Sequence, residues 1–177
     1  MNVSDTVIGA VIAAIAVMIG ALISVCSTYF LEKQKQVAES RRLALAFQGE
    51  IRALLGLIKR RKYLEGFRWA IEEMESTQKV VPINIQVRRE YFPVFKNNVG
   101  SIGLLACPLP ELIAQFYVQA NSVLEDLESH RDGTLGDAEI SFIIYNVKEM
   151  AELLQETLKI GEEIIKEVTQ LYPARMH

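Results

Sequence analysis

Two clusters of basic residues are the parts of this chain best suited to hold a ligand. Lys59, Arg60, Arg61 and Lys62 stand in a row, with Arg68 two helical turns on. Arg88 and Arg89 form a second pair, with Lys96 beyond them. A guanidinium presents paired N–H donors that match a phosphate or carboxylate in a bidentate way. If the chain brings the clusters together, Arg60, Arg61, Arg88 and Arg89 make a candidate anion-binding site for a nucleotide or another anionic small molecule. In an oligomer that site would repeat around one axis. A plainer reading stands beside it. Residues 32–100 hold 14 Lys/Arg against 8 Asp/Glu, net +6, and residues 101–177 hold 5 against 13, net −8. A basic first half can simply pack beside an acidic second half, through rim ion pairs that contribute about 0–1 kcal/mol each.

No other residues assemble into a reaction centre. Glu72-Glu73, Glu125-Asp126 and Glu162-Glu163 are sequence neighbours. Neighbours on a helix point about 100° apart, so these pairs read as solvated faces and not as shared proton sites. His130 and His177 are the only histidines. Neither has a ligand partner at helical spacing, so neither a zinc site nor hydrolase chemistry is expected. Cys26 and Cys107 are the only cysteines, one inside an apolar run and one far beyond it, which suits a reducing compartment without a disulfide. Net charge is −3 and no nucleic-acid module is visible, so nucleic acid is not an expected partner. The chain reads as a non-enzyme without cofactor or metal.

The element that would position these residues begins with an uncharged stretch. Thr6 to Leu31 is 26 residues without Asp, Glu, Lys, Arg or His. As a helix it spans about 39 Å, enough to cross about 30 Å of hydrocarbon with tilt. The leader before it lacks Lys and Arg, and the run exceeds a secretory h-region, so a retained anchor is expected over a cleaved signal. Lys33, Lys35, Arg41 and Arg42 follow the run, and only Asp5 precedes it. The positive-inside rule then puts residues 1–5 outside, 6–31 across the bilayer and 32–177 in the cytoplasm. Within the span Gly9, Ala13, Ala16, Gly20, Ser24 and Thr28 recur every three or four residues. Such a small-residue stripe lets two helices approach closely in lipid and predicts self-association. Lys33, Lys35, Arg41 and Arg42 are the expected contacts to anionic lipid. A straight helix would carry Arg60 about 44 Å from the headgroups.

Beyond Leu31 the pattern is helical. Ala44, Phe47, Ile51, Leu54 and Ile58 form an apolar stripe, and Tyr63, Phe67, Ile71 and Met74 carry on a second, with a bend expected near Gly56 or Gly66. The pattern fails at Ser76. Residues 76–90 read as an extended connector. Its alternating Ile83, Ile85 and Val87 would make a strand only by pairing with another copy of the chain. A short helix follows with Pro93 in its first turn, then a turn bracketed by Gly100 and Gly103. Leu109-Pro110-Glu111 opens a helix with the core face Ile113, Phe116, Ala120, Val123 and Leu127, stopped at Gly133. Asp137 is positioned to cap a last helix, whose face is Ile140, Ile144, Val147, Ala151, Leu154, Leu158, Gly161, Ile165 and Val168, ended by Tyr172-Pro173. Trp69, Phe67, Tyr63, Phe116 and Tyr117 read as core. The expected fold is all-α: an N-terminal transmembrane helix, then an antiparallel bundle of three main helices plus a short one.

Asn98-Val-Gly-Ser-Ile-Gly-Leu-Leu105, Leu109-Pro-Glu-Leu-Ile113 and Phe116-Tyr117 resemble a segment of small, uncharacterised bacterial single-pass membrane-anchored helical proteins. The resemblance covers residues 97–117. It implies a bacterial inner-membrane protein with a cytosolic helical domain, and it brings no activity with it. Ile102, Leu104 and Leu105 would plug the bundle end. The functional expectation is a membrane-anchored interaction or scaffold protein that self-associates through its transmembrane helix, with the bilayer, its own copies and a further protein as partners. The alternative is a ligand-gated membrane effector, in which an anionic signal sensed by the cytosolic domain rearranges the anchors.

Overall fold

The structure is a computed structural model. It describes the backbone of residues 3–83, 91–131 and 138–173, and the side chains of 17–83, 91–129 and 138–173. All regular structure among the described residues is helical. The order is α1 (Val3–Arg61), α2 (Tyr63–Thr77), α3 (Pro93–Asn98), a 3₁₀ helix (Val99–Leu104), α4 (Leu109–Arg131) and α5 (Ile140–Leu171). The chain forms two compact units, residues 1–40 and 41–177. The all-α expectation holds. Among the described residues no helix is long and apolar enough to cross a membrane. The uncharged stretch enters the described side chains only at Val17.

In the first unit the described large apolar side chains from Val17 to Leu31 are exposed, Val17 at 71% and Leu31 at 57%. Gly20 has open space around it, and Thr28 Oγ1 donates to Ser24 O at 2.9 Å within the helix. Gly9, Ala13 and Ala16 lie on α1, with their surroundings outside the described residues.

The second unit is an antiparallel bundle built on α4 and α5. Phe116 meets Gly161, and Gln119 meets Thr157, so the numbering runs in opposite senses along the pair. The 32 residues of α5 give it a length of about 48 Å. Two helices in series cover it. The end of α1 takes the C-terminal half, where Arg41 donates to Pro173 O at 2.8 Å and Gln48 donates to Ile165 O at 3.0 Å. The second helix, α2, takes the N-terminal half, where Lys148 pairs with Glu75 at 2.8 Å. The core divides accordingly. Phe47, Ile51 and Leu55 pack with Ile113, Phe116 and Ile164 in one cluster. Phe67, Ala70 and Met74 pack with Val123, Val147 and Leu154 in the other.

The break between α1 and α2 falls at Lys62, and not at Gly56 or Gly66 as expected. Lys62 adopts the left-handed conformation, φ 53° and ψ 44°. The apolar stripe explains the position. Continuing it from Ile58 at helical spacing leads to Lys62 and Glu65, whereas the apolar residues stand at Tyr63, Phe67 and Ala70. A single residue must be absorbed to bring the second stripe back onto the core, and one left-handed residue does so. The bundle therefore has four substantial helices, since residues 41–61 and 63–77 act separately.

Other expectations shift in detail. The connector begins at Gln78, left-handed at φ 54°, and residues 79–83 form no strand. The strand question for 84–87 lies outside the described residues. Gly100 and Gly103 belong to the 3₁₀ helix and bracket no turn. Leu105 is buried and Ile102 packs against the core, but Leu104 is exposed, so only two of the three plug the bundle end. Glu139 occupies the N-cap position of α5, and Asp137 lies outside the described residues. The buried face of α5 includes Ile143, Met150, Thr157 and Ile164, with Ile165 only partly covered. Three helices contact α5 at once, so its apolar face is wider than one periodic stripe. Trp69 is exposed at 59%, outside the core, while Phe67, Phe116 and Tyr117 are fully buried.

Gly161 marks a close approach of helices. A Cβ there would stand 2.9 Å from the Phe116 ring, 3.0 Å from Leu55 Cδ1 and 3.2 Å from Ile51 Cγ2. A side chain at this point must displace core groups from two other helices. Gly161→Val should lower unfolding stability by about 1–3 kcal/mol despite removing a helical glycine. Gly49→Ala, where the space is open, should not. Urea denaturation of both variants checks this.

Candidate functional site

Tertiary contacts place a carboxylate that the sequence pattern leaves unremarked at the centre of the polar structure. Glu50 on α1 faces the first turn of α3. That turn has Pro93 at its start and no side-chain cap of its own. The N–H groups of Val94 and Phe95 donate to the two Glu50 oxygens at 2.7 and 3.2 Å. A helix start leaves such donors without intrahelical partners, and a carboxylate is their best complement. The Tyr117 hydroxyl from α4 donates to Glu50 Oε2 as well. One side chain thus ties α1, α3 and α4.

Aromatic packing surrounds this node. The Tyr117 ring stacks on Phe95 at 4.1 Å between centroids and 23° between planes. Phe92 and Phe116 meet it edge-on at 5.2 and 5.1 Å. Burial pushes the Tyr117 phenol well above its ordinary range, and the hydrogen bond and negative charge of Glu50 push it further. The phenol stays protonated and acts as a donor. The arrangement is one of anchoring.

Two further polar contacts lock α5. Gln48 Nε2 donates to Ile165 O and to Thr169 Oγ1, both at 3.0 Å. Thr157, almost fully buried, donates to Leu153 O at 2.7 Å, with Gln119 Oε1 at 3.2 Å.

A cavity of about 70 Å³ lies where the two core clusters meet. Leu54 and Ile58 of α1, Phe67 of α2, Val123 of α4 and Leu154 of α5 contribute to its wall, and it is partly open to solvent. Tyr63 and Tyr91 also line it. Arg61 is bonded to one of these wall residues: its Nη1 donates to Tyr63 Oη at 2.9 Å. The Tyr63 hydrogen bond raises the Arg61 guanidinium above its ordinary value, with smaller contributions from the electrostatics of Tyr63 and Tyr91.

The basic clusters are thus distributed unequally. Lys59, Arg60 and Arg61 form the last turn of α1, where positive charge complements the helix dipole. Lys59 pairs with Glu162 at 2.6 Å across the two halves of opposite charge. Arg88 and Arg89 lie outside the described residues, as do His177 and the surroundings of His130. Among the described residues Glu125, Asp126, Glu162 and Glu163 are exposed, both cysteines are free, and no cluster of His, Cys, Asp and Glu is arranged to hold a metal. No family model matches the chain, and no match is found among curated proteins or solved structures.

Sequence periodicity alone does not single out Glu50. The available signal was Pro93 opening a helix without a capping side chain, which requires an acceptor from elsewhere. Glu50→Ala should cost about 3 kcal/mol, since it leaves the buried Tyr117 hydroxyl and two N–H groups unpaired. Tyr117→Phe should cost about 1–2 kcal/mol. The raised Tyr117 value also sets a pH dependence. The unfolded chain loses this proton near pH 10, while the folded chain keeps it. Ionisation of Tyr117 therefore leaves stability unchanged below about pH 10 and lowers it as pH rises beyond that. Tyr117→Phe should flatten that alkaline limb in chemical denaturation measured between pH 8 and 11.

Proposed function

We propose that this chain is a membrane-anchored, non-enzymatic interaction module that self-associates through the small-residue stripe of its first helix. The observation that carries the reading is the helical run of exposed apolar side chains from Val17 to Leu31, inside an uncharged stretch that starts at Thr6. A water-facing surface of that kind is unfavourable at about 25 cal/mol per Å² of apolar area, and lipid or another helix removes the penalty. Tyr29 and Phe30, exposed at its end, suit the headgroup level. Lys33, Lys35, Arg41 and Arg42 favour residues 32–177 on the cytoplasmic side of a bacterial inner membrane, with the N-terminus outside. Gly20, Ser24 and Thr28 offer a low-profile strip against which a second copy can pack, and Gly9, Ala13 and Ala16 extend it in sequence. The Glu50 node and the cross-bracing of α5 give the second unit the character of a rigid platform for a protein partner.

A second reading, a ligand-gated membrane effector, is favoured by one observation. Arg61 lies near enough to Tyr91 for the two to interact, and Arg89 is two residues from Tyr91 in sequence. An anionic signal on Arg60, Arg61, Arg88 and Arg89 would then rearrange the anchors. In that case Arg60→Ala and Arg88→Ala abolish any toxicity on overproduction, which a scaffold would not show.

The test of the leading reading is biochemical. The full chain should stay in the membrane pellet through an alkaline carbonate wash. Light scattering in detergent should give a molar mass of two or more copies, reduced toward one by Gly20→Ile. Extraction by carbonate would remove the anchor from the reading. A monomer with the native Gly20 would remove the self-association.

A further inference from the structure

The cavity between the two core clusters has a chemistry that selects its occupant. Its wall is almost wholly apolar. Thr157, the buried hydroxyl on it, already donates to the Leu153 carbonyl. A water held there would lack the two to four polar partners it needs. The volume, about 70 Å³, is roughly half that of the apolar cavities of about 150 Å³ that hold benzene. It suits the last few carbons of an alkyl chain and excludes a bulky ring system. The cavity is partly open, and Tyr63 on its wall accepts a hydrogen bond from Arg61 Nη1 at 2.9 Å. Among the described residues no carboxylate forms an ion pair with Arg61. An apolar slot with a wall residue that holds a cation available for pairing matches a molecule with an alkyl end and an anionic head.

We propose that the second unit binds a single-chain anionic amphiphile, with its alkyl end among Phe67, Val123 and Leu154 and its carboxylate or phosphate head on Arg61. The site lies wholly within residues 41–177, so it does not depend on how the first unit is anchored, and its failure would leave that reading untouched. Occupancy would join the two core clusters across the Lys62 break. The bound head would hold the end of α1 against the start of α2, which makes the site a point where an anionic amphiphile stiffens the bundle.

The test uses the full chain in nanodiscs of zwitterionic lipid, with Ile, Leu and Val methyls labelled for NMR. Octyl phosphate, octanoate, octyltrimethylammonium and inorganic phosphate are titrated in turn. Octyl phosphate or octanoate should shift the methyls of Ile58, Val123 and Leu154 saturably, and comparing the two identifies the preferred head. Inorganic phosphate alone should leave those methyls in place. Arg61→Gln, on an exposed side chain, should weaken the binding about tenfold, the loss expected for one charge-assisted contact. Ala120→Leu, which fills the cavity from its wall, should abolish the shifts. If that variant does not fold, the Arg61→Gln comparison remains decisive. Equal binding of octyltrimethylammonium, shifts that grow without saturating, or an affinity indifferent to Arg61→Gln would each overturn the proposal.

Discussion

A carboxylate half-buried among aromatic rings must be paired, and the pairing of Glu50 governs how the second unit is put together. Its oxygens take two N–H groups from the start of α3 and the hydroxyl of Tyr117. Leaving any of these donors unmade costs about 1–3 kcal/mol, whereas making them gains less. That asymmetry fixes where α3 can sit. With α3 in place, Phe95 stacks on Tyr117 and Phe92 meets its edge, which closes the C-terminal cluster of the core. Tyr91 and Phe92 then form part of the cavity wall. The cavity is thus a consequence of the same node that holds the three helices together.

The second constraint is length. One helix of about 48 Å has to be covered, and residues 41–61 and 63–77 do so in series. Their apolar stripes are out of phase by one residue, so the chain spends a left-handed residue at Lys62 to realign them. Close approach at Gly161 then draws α1, α4 and α5 together on one side of the break. On the other side Phe67 and Met74 fill the space against α5. The seam between the two clusters is where side chains from neither stripe fit fully, and the cavity lies there.

Charge acts on this frame from outside. The ion pairs Lys59–Glu162 and Lys148–Glu75 join opposite halves of the sequence, yet their side chains are about half exposed, so they contribute little to stability. Arg61 differs, since its described partner is a neutral phenol. It remains a cation able to pair with an anion, held by a residue of the cavity wall.

Periodicity alone determined the helical class, the extents of α4 and α5 within a few residues, and the proline-opened start of α3. These follow from local rules: apolar spacing near 3.6, proline tolerated only in a first turn, and an acid preferred near a helix start. The uncharged run from Thr6 to Leu31 is likewise a property of sequence and carries the anchor reading by itself. The break at Lys62 was present in the text as a slip of the apolar stripe. It became readable only with α5 in place, because a slip matters only against a partner. The exposure of Trp69 and Leu104, the Glu50 node and the cavity were decided by the tertiary structure. Each depends on residues tens of positions apart meeting in space, and neither propensity nor spacing encodes which polar group will face which helix end.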